Sequence, residues 1–197
     1  VTVTDGELSD SSVFTLIVNP VNDAPVITQL SDATIDEDSS YIVELSASDV
    51  DEDELIFSAS NGDFDILVDG TTLTIIPPQD YNGSDDVTVI VTDGELSDSS
   101  VFTLIVSPVN DAPVLDVVLD QSIDEDGVFT YALSANDVDQ DALYFSASID
   151  GNASLSISND LLTINPEENF YGSIEVLINV TDTELEDSQF FILTVNP

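Results

Sequence analysis

The sequence predicts an all-β chain made of tandem seven-stranded Greek-key β-sandwiches. Three observations predict it: an internal repeat that covers the whole chain, strict period-two alternation of apolar residues, and proline-flanked connectors spaced one repeat apart. Residues 1 to 26 match residues 89 to 114 at all but two positions, Thr2 against Ile90 and Asn19 against Ser107. A third copy, NVTDTELEDSQFFILTVNP, begins at Asn179. The expected organisation is therefore residues 1–20 as the closing hairpin of a preceding repeat whose remainder is cut away, followed by two whole repeats, 21–108 and 109–197. A one-residue slip in register falls between Ser148 and Thr163 and is assigned to a loop.

Seven strands are expected in the first whole repeat. The first runs from Val26 to Ile35 with a break. The second, Ser40 to Ala47, turns Tyr41, Val43, Leu45 and Ala47 to one face and Glu44 and Ser46 to the other. The third, Glu54 to Ser60, points Leu55, Phe57 and Ala59 inward. Phe64 to Val68 and Thr71 to Ile76 supply the fourth and fifth. In the sixth, Val87, Val89 and Val91 share a face, as do Phe102, Leu104 and Val106 in the seventh. No window has a helical period. Seven short strands with turn residues between them, over some 88 residues, define an immunoglobulin-like sandwich. The antibody version is excluded, because the chain has neither Cys nor Trp. A lone two-stranded hairpin is marginal in water, so residues 1–19 are expected to fray or to dock on the sheet edge of a neighbour.

The connectors are Pro20-Val21-Asn22-Asp23-Ala24-Pro25-Val26 and Pro108-Val109-Asn110-Asp111-Ala112-Pro113-Val114. Two prolines fix φ and remove backbone donors, which suits a stiff extended joint and neither a helix nor a central strand.

Composition narrows the function. The 197 residues contain 41 acidic side chains and no Lys, Arg or His, a formal charge of -41. Such a surface repels phosphates and anionic lipid, and nothing could grip a nucleic-acid backbone, so nucleic acid is excluded as a partner. No apolar run reaches the ~18 to 20 residues of a membrane helix, and no basic-then-apolar leader begins the sequence, so no membrane insertion is expected. Thiolate and histidine metal sites are excluded with the missing residues. Hydrophobic residues make up 42% and alternate regularly, which a disordered acidic chain does not do.

Scattered carboxylates are a solvated surface, but converging ones repel by about 4 kcal/mol per pair at 4 Å and an effective dielectric near 20, so they need cations. Strand direction tells which loops converge. The loop after the second strand (Asp49, Asp51, Asp53) and the turn after the sixth (Asp93) share the end at which the connector brings in Asn22 and Asp23. The second repeat reproduces the set as Asn110, Asp111, Asp137, Asp139, Asp141 and Asp182. Glu37 and Asp80 lie at the opposite end and are expected to complete the shell around the next connector. Oxygen donors on loops, more than six of them, suit Ca²⁺ better than the tight octahedron of Mg²⁺. The run from Asp49 to Asp53 begins like an EF-hand loop but lacks its glycine, its closing glutamate and its helices.

These motifs resemble cadherin repeats, and most closely the cadherin-like tandem repeats of large bacterial surface and biofilm adhesins. Asn22-Asp23-Ala24-Pro25 resembles the cadherin linker shortened by one Asn, Asp49-Val50-Asp51 its D-x-D, Glu37 its x-E-x glutamate, and Thr92-Asp93-Gly94 the aspartate after its sixth strand. The resemblance implies Ca²⁺ held between successive domains, with neighbouring repeats of the same chain as partners. Asp80-Tyr81-Asn82 departs from the cadherin D-R-E, and Asn169 replaces Asp80 in the second copy. Thr183 stands where Gly94 does and should alter the last turn. The site at Asn22 lacks its upper half and should bind fewer ions.

The expected function is a calcium-stiffened spacer of an extracellular or cell-surface bacterial adhesin, not an enzyme. A self-assembling filament or surface-layer subunit that exchanges its N-terminal hairpin, with homophilic contacts, is the alternative; against it, the last repeat already owns both strands of its own hairpin. Light scattering with and without residues 1–19 separates the two. Carboxylate pairs of a glycosidase are set aside for want of aromatic subsites. Tyr81 with Phe57, and Phe170 with Phe145, read as core residues. The acceptor triplets at Asn82, Asn152 and Asn179 are common by chance, and Asn179 falls within a strand.

Overall fold

The computed structural model describes all of residues 1–197. It divides into two units, Val1–Ser107 and Pro108–Pro197. The first opens with a hairpin, β1 (Thr2–Thr4) and β2 (Ser9–Ser11). Its sandwich follows: β3 (Val26–Ile27), β4 (Ala33–Asp36), β5 (Tyr41–Glu44), β6 (Ala47–Ser48), β7 (Ile56–Ser60), β8 (Asp65–Asp69), β9 (Thr72–Ile76), β10 (Gly83–Thr92) and β11 (Ser97–Ser107). The second unit carries β12 (Val114–Leu115), β13 (Gln121–Asp124), β14 (Phe129–Ala132), β15 (Ala135–Asn136), β16 (Tyr144–Ile149), β17 (Ala153–Ser158), β18 (Leu161–Pro166), β19 (Gly172–Thr181) and β20 (Glu186–Asn196).

In the first unit one sheet has the order β4-β11-β10-β7 and the other β5-β9-β8, with β3 paired to β6. The second unit has the same plan, β13-β20-β19-β16 and β14-β18-β17, with β12 paired to β15. Alternation decides which faces meet. Val87, Val89 and Val91 of β10 and Leu104 of β11 are fully buried against Leu73 and Ile75 of β9. Val176, Ile178, Val180 and Leu193 meet Leu162 and Ile164 in the second core. Each such side chain taken out of water contributes about 1.5 to 3 kcal/mol. Phe57 and Tyr81 pack against the first core, and Phe145 and Phe170 against the second. Tyr81 makes its ring contact with Phe64, edge to face at 5.2 Å between centroids.

The break expected in the first strand is a change of sheet. β3 pairs antiparallel with β6, whereas β4 pairs parallel with β11. Between them the backbone donors need other partners. Side chains supply them: Ile27 N–H donates to Asp98 Oδ2 at 3.0 Å, Leu30 N–H to Ser100 Oγ at 3.2 Å, and Thr103 N–H to Asp32 Oδ1 at 2.9 Å. The second unit repeats this with Asp187, Gln189 and Asp120. Four of the aspartates are thus fastenings of the crossover and not merely solvated surface.

The register slip lies in the loop between the third and fourth strands of the sandwich. Asn61 to Phe64 is matched by Ile149 to Ala153, one residue longer, and β16 extends to Ile149 to use it. The expectation that Thr183 alters the final turn is incorrect. Thr183 takes φ 95°, beside 101° for Gly94, and Thr183 N–H donates to Thr181 Oγ1 at 3.0 Å just as Gly94 N–H does to Thr92. The two N–H groups received by Asp182 hold the turn, so the β-branched residue is bent to fit the site. A non-glycine residue held there costs about 1 to 3 kcal/mol. Thr183→Gly should therefore raise stability by about 1 kcal/mol, read from the urea midpoint at unchanged m-value.

Residues 1 to 20 are exposed throughout, and only three residue pairs join β1 to β2. The matching residues of β10 and β11 form four pairs with one another, Val89 with Ser100, Ile90 with Ser99, Val91 with Asp98 and Thr92 with Ser97, so over the shared letters the two hairpins are nearly alike. Val13, Phe14, Leu16, Ile17 and Val18 are exposed and belong to no strand.

Candidate metal centre

Three separated segments meet at the end of each sandwich where its connector enters. In the first unit Asn22 Nδ2 donates to Asp93 Oδ2 at 3.0 Å, and Asp23 N–H donates to Asp51 Oδ2 at 2.8 Å. In the second, Asn110 Nδ2 reaches Asp182 Oδ2 at 2.8 Å, and Asp111 N–H reaches Asp139 Oδ2 at 2.8 Å. Connector, acidic loop and hairpin turn are thereby tied together twice over, at corresponding residues.

The acidic loops fold back on themselves. Asp51 N–H donates to Asp49 Oδ1 at 2.8 Å, and Glu52 adopts a left-handed φ of 61°. Asp141 N–H donates to Asp137 Oδ1 at 3.1 Å, with Gln140 at φ 64°. One carboxylate oxygen from each of Asp49, Asp51 and Asp53 lies within 4.8 Å of the others, and the same holds for Asp137, Asp139 and Asp141. That spacing fits inside a calcium shell, whose ligands stand about 2.3 to 2.6 Å from the ion on all sides. The second oxygens of Asp49 and Asp137 are buried and accept no hydrogen bond. A buried, unpaired carboxylate oxygen among like charges is costly, by several kcal/mol if nothing compensates it. Beside the first cluster a cleft of about 350 Å³ is lined by Pro20, Asn22, Asp51 and Asp53.

Asp93 and Asp182 anchor the turns. Asp93 Oδ1 receives the N–H groups of Glu95 and Leu96, each at 2.7 Å, and Asp182 Oδ1 those of Glu184 and Leu185 at 2.6 and 2.7 Å. These donors hold both carboxyls below the usual range: for Asp93 the Leu96 and Glu95 N–H groups lead, and for Asp182 the Leu185 N–H and then the Asn110 amide, against the opposing pull of desolvation. Because the folded-state value is depressed, the stability each carboxylate contributes is present above the ordinary value of 3.8 and drains away as pH falls through the folded-state value. Comparing the chain with Asp182→Asn in calcium-free buffer isolates this from the general relief of acidic repulsion. The unfolding free energy of the unmodified chain should fall relative to the variant as pH is lowered below 3.8.

Glu37 and Asp80 lie together at the opposite end of the first sandwich. Asn82 Nδ2 approaches Glu37 Oε2 at 3.5 Å, and Asp80 N–H donates to Asp38 Oδ1 at 3.1 Å. Asp38 is a residue that sequence reasoning passed over. Asp126 does the same for Asn169 at 3.0 Å, so the fastening survives the change from Asp80 to Asn169. The repetition of Glu-Asp at 37–38 and 125–126 was the available signal.

The fold and these acidic ends define a class: tandem immunoglobulin-like β-sandwich modules. The bacterial Ig domain family matches residues 22–105 and again 110–194, and the chain belongs to it. Domains of this family are structural modules and not catalytic folds, and such architecture is typical of extracellular and cell-surface proteins. Among characterised proteins the chain is 32% identical to chitinase A of Pseudoalteromonas piscicida over 134 residues, 65% of this chain and 16% of that one. Among solved structures it superposes on human protocadherin-24 repeats EC1-2 with a TM-score of 0.53, at 18% identity, covering 89% of this chain and 99% of that one. An endo-fucoidan hydrolase of glycoside hydrolase family 107 is matched over 91% of this chain and 30% of that one, at 19% identity and a TM-score of 0.40. The cadherin resemblance thus extends to the fold, while the family is the bacterial Ig domain.

Proposed function

We propose that the chain is a calcium-rigidified spacer of a secreted or cell-surface bacterial repeat adhesin, serving attachment to cells or matrix or within a biofilm. The observation that carries this reading is the pair of three-aspartate clusters, each with one buried oxygen left without a donor. In a chain with no Lys, Arg or His, the counter-charge for them comes from an external cation. Asp49, Asp51 and Asp53, with Asn22, Asp23 and Asp93 around them, form the first site. Asp137, Asp139 and Asp141, with Asn110, Asp111 and Asp182, form the second. Glu37 and Asp80 add further carboxylates at the opposite end of the first sandwich. Without the ion, gathered carboxylates repel and the joint flexes; with it, the same groups become a shared coordination sphere.

Small-angle scattering during titration with a calcium chelator tests this, paired with Asp111→Ala. The maximum dimension should become broadly distributed as calcium is withdrawn, and the variant should behave like the calcium-free chain from the start. Unchanged scattering in both removes the hinge from the account. The 32% identity to a chitinase favours a second setting for the same spacer, as an appended module of a chitinase-like protein.

A further inference from the structure

We infer that the outer face of the sheet β16-β19-β20 is a binding platform for a neutral polysaccharide. In that sheet Tyr144 and Phe190 both point outward, at 57% and 64% exposure. The register fixes where they stand: Tyr144 pairs with Thr181 at one end of the face, while Phe190 pairs with Leu177, which in turn pairs with Ser148, four residues further along. Four residues of strand rise and two strand spacings put the two rings roughly 16 Å apart on one surface. Between them the outward positions are Ser146, Asn179 and Ser188, hydroxyl and amide groups; the Asn179 amide donates to Glu186 Oε2 at 2.9 Å, and Glu186 stands beside Thr181 in the row of Tyr144. Beside Phe190 lies a cleft of about 200 Å³ bordered by Ser148, Asp150, Glu175 and Leu177.

Exposed aromatic faces separated by neutral donors and acceptors match the alternating C–H faces and hydroxyl edges of a sugar chain. Glu175 and Asp150 add acceptors for hydroxyl groups at one end. The charge of -41 repels uronic or sulfated polymers. A basic protein would be drawn more strongly to the dense aspartates at the ends of the sandwich than to this face, whose central positions are uncharged and whose carboxylates, Asp150, Glu175 and Glu186, lie at its margins.

The first unit supplies the comparison. At the corresponding positions it has Ile56, Ile90 and Val101 in place of Tyr144, Asn179 and Phe190, on the same sheet in the same register. The fold therefore accepts aliphatic residues there, and the aromatic pair is a property of the second unit alone. The inference does not depend on calcium.

The test is sedimentation of the full chain with microcrystalline cellulose and with chitin powder, with and without chelator, using alginate as a polyanion and soluble polylysine as a basic polymer. Tyr144→Ile with Phe190→Val transplants the first unit's residues, so its melting temperature should match that of the unmodified chain. The expected result is retention on at least one neutral polymer, none on alginate, and at least a tenfold loss of retention in the double variant. Absence of retention on both neutral polymers, equal retention of the variant, or association with polylysine alone would overturn the inference.

Discussion

Withdrawing calcium should lower the melting temperature of the chain by about 10 to 20 °C relative to 10 mM calcium. An ion that binds only the folded form stabilises it by RT ln(1 + [L]/Kd), about 2.7 kcal/mol when the ion is present at a hundred times its dissociation constant. Extracellular calcium modules bind at about 10⁻⁴ to 10⁻³ M, so 10 mM calcium reaches that ratio at the tighter end. For a unit of this size each kcal/mol moves the melting temperature by roughly 4 to 8 °C. In the proposed function the binding energy comes from relieving the repulsion at Asp49, Asp51 and Asp53, and at Asp137, Asp139 and Asp141, whose carboxylate oxygens lie within 4.8 Å of one another in each cluster. Differential scanning calorimetry in calcium, in magnesium and in chelator reads it directly. Monovalent salt at equal ionic strength should recover only the part that comes from screening scattered charges.

The second large effect belongs to the core. Phe191 is 2% exposed, lies with its ring 5.9 Å from that of Phe129, and sits under both sheets of the second sandwich; Phe102 holds the same place in the first, 5.8 Å from Tyr41. Phe191→Ala removes the ring and leaves a cavity that strands pinned by ten residue pairs between β19 and β20 cannot close. A loss of about 3 to 5 kcal/mol is expected, measured by urea unfolding in saturating calcium so that ion binding is held constant. Phe190→Val, next in the chain but facing outward, should change stability by no more than about 0.5 kcal/mol. The contrast between adjacent phenylalanines tests the register itself, since a slip of one residue would exchange their behaviour.

Much of this was legible beforehand because alternation is a local signal. The inward set Val87, Val89 and Val91, and its partners Phe102, Leu104 and Val106, can be read by period alone, and the repeat states the same pattern more than once. The convergence of Asn22 with Asp93 and of Asp23 with Asp51 followed from counting strand directions, which needs no coordinates. What escaped were features set by partners far along the chain. The aspartates at 32, 98, 120 and 187 look like surface charge until the sheet change leaves backbone donors in front of them. Thr183 looked like a reason for a different turn, yet the Asp182 carboxylate imposes the same one. Residues 1 to 20, which carry nearly the same letters as 89 to 108, are expected to form no more than a weak hairpin; Val13 to Val18 form no strand, whereas their counterparts Val101 to Val106 pair with 83 to 88, a segment that residues 1 to 20 do not repeat.

The most direct measurement is isothermal titration of calcium into the chain and into the variant carrying Asp49→Asn, Asp51→Asn, Asp137→Asn and Asp139→Asn, both first shown to be folded by near-ultraviolet circular dichroism. The account predicts saturable binding at about 10⁻⁴ to 10⁻³ M for the unmodified chain and none for the variant over the same range. No saturable heat from the unmodified chain up to 10 mM calcium, or equal binding by the two, would contradict it.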